Sequence, residues 1–211
     1  MKMTNNTNYP WLEVAKRLQA VAQAGLEYSG NKYDIDRYNQ IRQISLEIMQ
    51  DFTQLPMKKL VNVFTSERGY QTPKVDVRGV VFRGNKILMV REVIDDCWSV
   101  PGGWADVGLT PFEVARKEVF EEAGLEVSPV RLLAVFDKKL HNHPPDLYHI
   151  YKIFILCEET GGILQNGMET SDTGFFSPDD LPALSAPRIT EEQIRLMFDF
   201  KNNPLKEAVC D

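Results

Sequence analysis

Between Trp11 and Leu26 the apolar residues Trp11, Val14, Ala15, Leu18, Val21, Ala22 and Leu26 recur at helical spacing, which predicts an amphipathic helix from Trp11 to about Tyr28. Ser29-Gly30-Asn31 breaks that pattern. A second stripe, Ile35, Tyr38, Ile41, Ile44 and Ile48, predicts a second helix. Together they make a helical hairpin, assigned to a small N-terminal domain over residues 1–60, that is too short to bury much apolar surface alone. It is expected to pack on the rest of the chain or on a second subunit, and none of its residues looks catalytic.

Pro56, Gly69 and Pro73 mark residues 54–74 as a connector. Beyond Pro73 the texture becomes that of strands. Residues 75–82 and 86–93 flank Gly84-Asn85, a tight hairpin turn. Further strands are expected at 130–137 and 148–157, with Gly161-Gly162 turning the chain. Thr190 and Gln193 have capping-box spacing and predict a last helix. The fold class is therefore α+β, with a main domain over residues 70–211.

One more helix carries the chemistry. Thr110 can cap it, Pro111 suits its first position, Glu113 closes a capping box, and Gly124 stops it. Phe112, Ala115, Val119 and Ala123 share the face expected to meet the core. Glu118, Glu121 and Glu122 share another sector, in an i, i+3, i+4 relationship. Each like-charged pair of that kind costs ~0.2–0.5 kcal/mol on an isolated helix. Glu121 and Glu122 also stand in the last turn, where the helix dipole disfavours anions. A solvated acidic face is the plain alternative. Acids placed against local preference, in a helix otherwise well specified, point instead to a bound divalent cation. Carboxylates without His or thiolate partners are hard oxygen ligands, suited to Mg²⁺ or Mn²⁺ rather than Zn²⁺. Upstream, Pro101-Gly102-Gly103 gives a stretch where backbone can approach a ligand closely.

Charge and cysteine usage narrow the class. A formal net charge of -6, with no Lys/Arg run, argues against nucleic acid as the main partner. Cys97, Cys157 and Cys210 are odd in number and far apart, so they form neither a zinc signature nor a disulfide framework. A reducing cytoplasm is expected. No apolar run approaches the ~20 residues of a membrane span, and the first residues lack a signal-peptide core.

From Gly103 to Leu125 the chain reads GWADVGLTPFEVARKEVFEEAGL, which resembles the Nudix box, G-x5-E-x7-R-E-U-x-E-E-x-G-U with U aliphatic. Gly103, Glu118, Val119, Glu121, Glu122, Gly124 and Leu125 match; Leu109 replaces the first glutamate and Lys117 the arginine. Lys117 keeps a positive charge but lacks the planar fork that could orient Glu118. The likeness extends over about residues 74–200. With the N-terminal helices, TPKVDVRG and KKLHNHPP (138–145), it narrows to a bacterial branch acting on nucleoside diphosphates linked to another group.

That resemblance implies an α/β/α sandwich with a mixed sheet, a homodimer, and hydrolysis of a pyrophosphate linkage. The implied metal set is Gly102 (through its carbonyl), Glu118, Glu121 and Glu122, holding Mg²⁺ or Mn²⁺. Glu121 and Glu122 are taken as catalytic. Glu169, in a loop leading to a strand, is the candidate general base, with Asp172 as fallback. Arg78 and Arg91 on strands, and Lys139, His141 and His143 in a loop, are candidate contacts to a small nucleotide substrate, with structural ion pairing or solvation as the alternative. Trp98 and Trp104 could each stack a base or simply pack. Within the branch the expectation leans to a CDP-choline-like substrate. ADP-ribose is the alternative, and so is a nucleotide-sensing module without catalysis.

Overall fold

The computed structural model describes residues 10–53, 56–58, 60–61 and 69–211. Ten of the 21 residues of the expected connector, 54–55, 59 and 62–68, lie outside them. The chain divides into two compact units, residues 1–73 with 145–149, and residues 74–144 with 150–211.

The first unit contains helices α1 (Pro10–Tyr28) and α2 (Lys32–Thr53). Leu12 and Ala15 of α1 pack with Leu46 and Met49 of α2 and with Leu60. The helices approach closely enough for Ser45 Oγ to donate to the Ala15 carbonyl at 2.8 Å. The expected hairpin is present, but its apolar face is two faces. Leu12, Ala15 and Ala22 are buried, whereas Trp11, Val14, Val21 and Tyr28 remain exposed. At about 100° per residue these are neighbouring stripes, and one partner helix covers only the first.

The second unit is a mixed eight-stranded sheet, counted among the described residues, between two helical layers. Its strands are β1 (Lys74–Arg83), β2 (Lys86–Glu92), β3 (Trp98–Ser99), β4 (Gly102–Trp104), β5 (Leu125–Asp137), β6 (Ile150–Gly162), β7 (Thr170–Phe176) and β8 (Val209–Cys210). The main path runs β3-β2-β1-β6-β5-β8, with β4 against β1 and β7 against β2. β1 and β6 are parallel, as are β5 and β8; the remaining pairs are antiparallel. Strand alternation sorts the core. Val77 and Val81 of β1, Leu88 and Val90 of β2 and Ile155 of β6 meet Val114, Ala115, Val119 and Ala123 of α3 (Pro111–Ala123). Val80, Ile87, Met89 and Phe154 point the other way, onto Ile194, Met197 and Phe198 of α4 (Glu191–Asn202).

Three details depart from the sequence expectations. Phe112 is 41% exposed, and Val114 takes its place in the core. Gly161-Gly162 does not turn the chain, because β6 continues through it to pair with Leu125 and Glu126. β5 accordingly starts at the residue after the Gly124 cap, earlier than its apolar run suggests.

Candidate active site

Local chemistry fixes α3 in register. Thr110 Oγ1 accepts the Glu113 N–H at 3.3 Å while the Glu113 carboxylate accepts the Thr110 N–H at 2.8 Å. At the far end Gly124 takes the left-handed conformation, φ 70°, and its N–H reaches the Phe120 carbonyl at 2.9 Å. With the apolar stripe docked on the sheet, Glu118 and Glu122 come to lie against β4.

Glu122 Oε2 accepts the Gly102 N–H at 3.0 Å, and the residue is only 7% exposed. Burial pushes its carboxyl up to about 8; Glu92 and Glu118 push the same way, against Arg78 and the Gly102 N–H. The Glu118 side chain is 12% exposed, and burial raises its carboxyl too, with Lys117 opposing. Glycine is required at 102 and makes room at 103. Gly102 has φ 150°, and a Cβ there would strike the Val77 carbonyl oxygen. A Cβ on Gly103 would come within 3.0 Å of Glu118 Oε2.

The third glutamate does not converge with the other two. Glu121 is turned out, its Oε2 3.0 Å from Lys117 Nζ. The same ammonium lies 3.3 Å from Glu118 Oε1 and 3.2 Å from Asp106 Oδ2. Among the described residues no group of three or more His, Cys, Asp or Glu side chains is gathered for a metal ion. The flexible lysine explains the difference: a point charge on a long stem collects carboxylates one by one, where a planar fork would orient one of them. What remains around Gly102-Gly103 is a buried carboxylate, Glu122, and a partly buried one, Glu118, both hard oxygen donors. The space that Gly103 leaves beside Glu118 keeps that donor set open. Hard oxygen donors of this kind suit Mg²⁺ or Mn²⁺, which Glu118 and Glu122 could hold.

Behind the glycine turn the sheet floor is ionic. Arg78 is 4% exposed and donates to Asp76 through Nε at 2.8 Å and Nη2 at 3.2 Å, and to the Val100 carbonyl at 3.0 Å. Lys152, fully buried, pairs with the same Asp76. Burial lowers the Lys152 ammonium to about 7 despite that partner. Arg78 therefore stands behind the turn, among internal partners. Arg91 lies at the surface with Nη2 2.7 Å from Asp96 Oδ2.

The loop candidates also face internal partners. Lys139 Nζ is 3.1 Å from Asp137 Oδ2, and His141 Nε2 is 2.8 Å from Asp211 Oδ2. His143 Nδ1 meets the Ala186 carbonyl at 2.7 Å, and burial lowers its imidazole to about 4. Trp98 packs edge-on against Phe176, with ring centroids 4.7 Å apart, and Trp104 is exposed.

Glu169 is exposed in the turn before β7, and its carbonyl accepts the Val93 N–H at 3.0 Å. The next residue fastens that turn to α3: Thr170 Oγ1 donates to the Glu122 carbonyl at 2.8 Å. Asp172 sits on β7 opposite Arg91. Two further residues had no sequence signal. Glu92 closes a strand whose apolar alternation has already ended, yet it is 3% exposed. Arg188 follows a proline outside any periodic segment, yet its Nε lies 2.9 Å from Glu92 Oε1.

Comparison with known proteins identifies the family. A NUDIX domain model matches residues 72–200, and a model described as a UDP-X-like, N-terminal oligomerisation domain matches residues 9–64. A Bacillus subtilis (strain 168) protein, YjhB, described as a candidate ADP-ribose pyrophosphatase, is 47% identical over 95% of this chain and 97% of its own length. The crystal structure of an ADP-ribose pyrophosphatase from Streptococcus suis covers 66% of this chain and 100% of its own, at 43% identity and TM-score 0.61. A UDP-X diphosphatase structure covers 97% of this chain and 100% of its own, at 31% identity and TM-score 0.63.

Proposed function

Because this chain belongs to the Nudix family of hydrolases, we propose that it hydrolyses the pyrophosphate of a nucleoside diphosphate linked to a second group, with a divalent cation, Mg²⁺ or Mn²⁺, and with ADP-ribose as the leading substrate. The observation that carries the reading is the buried Glu122 carboxylate on the Gly102 N–H, beside Glu118. The names of the 47% and 43% identical relatives favour ADP-ribose over the CDP-choline-like substrate expected from the sequence. CDP-choline remains the second substrate to test.

A cation bound there supplies neutralising charge to the phosphates and lowers the pKa of the attacking water. The chain's own residues do the rest. Glu118 and Glu122 would hold the cation, with Glu121 as a third ligand if it exchanged Lys117 for the metal. Glu169, whose exposed carboxylate stands one residue from the Thr170 anchor on α3, takes the proton of the attacking water. Arg78 would hold the floor under the glycine turn, and Arg91, Lys139, His141 and His143, each held by another residue of the chain, are the further candidates for contacting the nucleotide.

We extend the reading to self-association in the cytoplasm. The N-terminal domain matches an oligomerisation model, and α1 exposes Trp11, Val14, Val21 and Tyr28 on one stripe. These two observations support a homodimer joined along α1. The cysteines are free, and no described helix is long and apolar enough to cross a membrane.

The experiment is a panel of ADP-ribose, CDP-choline and a UDP-sugar with Mg²⁺ or EDTA, read by product identity. Release of a nucleoside monophosphate from ADP-ribose, lost in EDTA and in Glu169→Gln, is expected. Tight binding of a nucleotide with no turnover of any would make the protein a sensor.

A further inference from the structure

The site that binds a pyrophosphate must receive a strongly anionic ligand, yet the carboxylates nearest the glycine turn, Glu118 and Glu122, are acidic, with Glu92 buried close by. A bound dication offsets part of that repulsion. A fixed cation at the rim is the other requirement, and most nearby cations are engaged. Lys117 is held by three carboxylates. Lys152 is fully buried on Asp76. Arg78 is buried with donors on Asp76 and Val100, and Arg91 is paired with Asp96.

Arg188 is placed differently. Its side chain is 29% exposed and is held at two of its three nitrogens, with Nε 2.9 Å from Glu92 Oε1 and Nη1 3.4 Å from Ser185 Oγ and 3.8 Å from Asp95 Oδ2. Among the described residues Nη2 has no hydrogen-bond partner. The backbone beneath it is fixed as well. Trp98 N–H donates to the Ala183 carbonyl, and Ser185 N–H to the Trp98 carbonyl, both at 2.8 Å, so residues 183–185 run along β3. The Arg188 N–H then closes on the Ser185 carbonyl at 2.8 Å.

Glu92 ties this arginine to the catalytic turn. Its Oε1 accepts Ser99 Oγ at 2.7 Å, and Ser99 Oγ accepts Arg78 Nη1 at 3.4 Å. Ser99 stands just before Val100-Pro101-Gly102, whose last N–H holds Glu122. A continuous polar chain, Arg188–Glu92–Ser99–Arg78–Asp76–Lys152, thus runs under the turn and surfaces only at its arginine end. A buried carboxylate on a half-buried arginine contributes little to stability beyond what an apolar pair would. Its geometric effect is specific: it fixes the plane of the guanidinium and leaves Nη2 to make a charge-assisted hydrogen bond of the kind that suits phosphate.

We infer that Arg188, oriented by Glu92, is the phosphate-binding residue that positions the substrate's pyrophosphate over the Gly102-Gly103 turn. The assignment rests on the hydrolase reading for its ligand class but is tested by binding. Metal-free protein in EDTA is titrated by calorimetry with ADP-ribose and with inorganic pyrophosphate, for wild type, Arg188→Ala, Arg188→Lys and Glu92→Gln. Thermal unfolding of each variant accompanies the titrations.

Folded Arg188→Ala should bind both probes about 10–100-fold more weakly, the scale of losing a charge-assisted contact. Arg188→Lys should recover part of that loss, because it keeps the charge without the fork. Glu92→Gln should weaken binding less than Arg188→Ala. In turnover, Arg188→Ala should raise KM more than it lowers kcat. A purely structural arginine would shift the melting temperature and leave the affinities alone; that result overturns the assignment. So does failure of the wild type to bind either probe. Binding that depends on Arg188 without turnover of any nucleotide in Mg²⁺ would keep the assignment and remove the hydrolase reading.

Discussion

Glu122 and Gly102 are joined by a 3.0 Å hydrogen bond from the Gly102 backbone N–H to the carboxylate, across twenty residues of sequence. The bond exists only because β4 passes β1 with no side chain at Gly102, whose φ is 150°. Gly102→Ala would push a Cβ against the Val77 carbonyl and within 2.8 Å of the Arg78 Cα. Backbone strain of this kind costs about 1–3 kcal/mol before the clash is added. The variant should melt lower and lose activity out of proportion to its folded fraction, measured by circular dichroism beside turnover.

Lys117 neutralises Glu118, Glu121 and Asp106 at 3.0–3.3 Å. Lys117→Met leaves those acids to repel one another until a cation arrives. The variant's melting temperature in EDTA should fall, and the increase produced by Mg²⁺ should exceed that of the wild type. Differential scanning fluorimetry with and without Mg²⁺ measures both; equal Mg²⁺ increments would show that the lysine is a surface bystander.

The raised carboxyl of Glu122 predicts a pH signature in metal-free protein. Its pKa moves from an ordinary 4.5 to about 8 on folding. Between those values the folded state keeps a proton that the unfolded chain has released, so this group's contribution to stability falls as pH rises across the window. Glu122→Gln removes the ionisation. Urea unfolding in EDTA at about pH 5, 6.5 and 8 should show the wild type losing stability relative to Glu122→Gln at each step. A constant difference would mean that Glu122 ionises freely.

The exposed stripe on α1 predicts a concentration-dependent assembly. Val21 is 57% exposed midway between Trp11 and Tyr28. Light scattering after size exclusion should give a dimer for the wild type and a monomer for Val21→Glu, with the main domain's activity retained per chain. A monomeric wild type would show that this face has another role.

Much of this structure was legible before folding because its signals are local. The capping box at Thr110 and Glu113, the Gly124 stop and the Gly84-Asn85 turn each depend on a few adjacent residues, and each forms as read. The two-layer core follows from alternation along β1 and β2. What escaped notice depends on pairing between distant segments. Gly161-Gly162 reads as a turn until Leu125 and Glu126 are seen to extend the ladder to it. Glu92 and Arg188 carry no periodic or motif signal, and meet only because residues 183–185 run beside Trp98. Glu121 belongs to the family pattern, but the lysine at 117 draws it aside.

The central claim is that Glu118 and Glu122, around the Gly102-Gly103 turn, hold a divalent cation. Crystals of the wild type and of Glu122→Gln grown in Mn²⁺, with anomalous diffraction collected at the manganese edge, test it most directly. The account predicts an anomalous peak in the wild type with carboxylate oxygens of Glu118 and Glu122 within about 2.0–2.3 Å, lost or strongly weakened in the variant. A wild-type map with no peak there, and Lys117 still seated on Glu118 and Glu121, would contradict it.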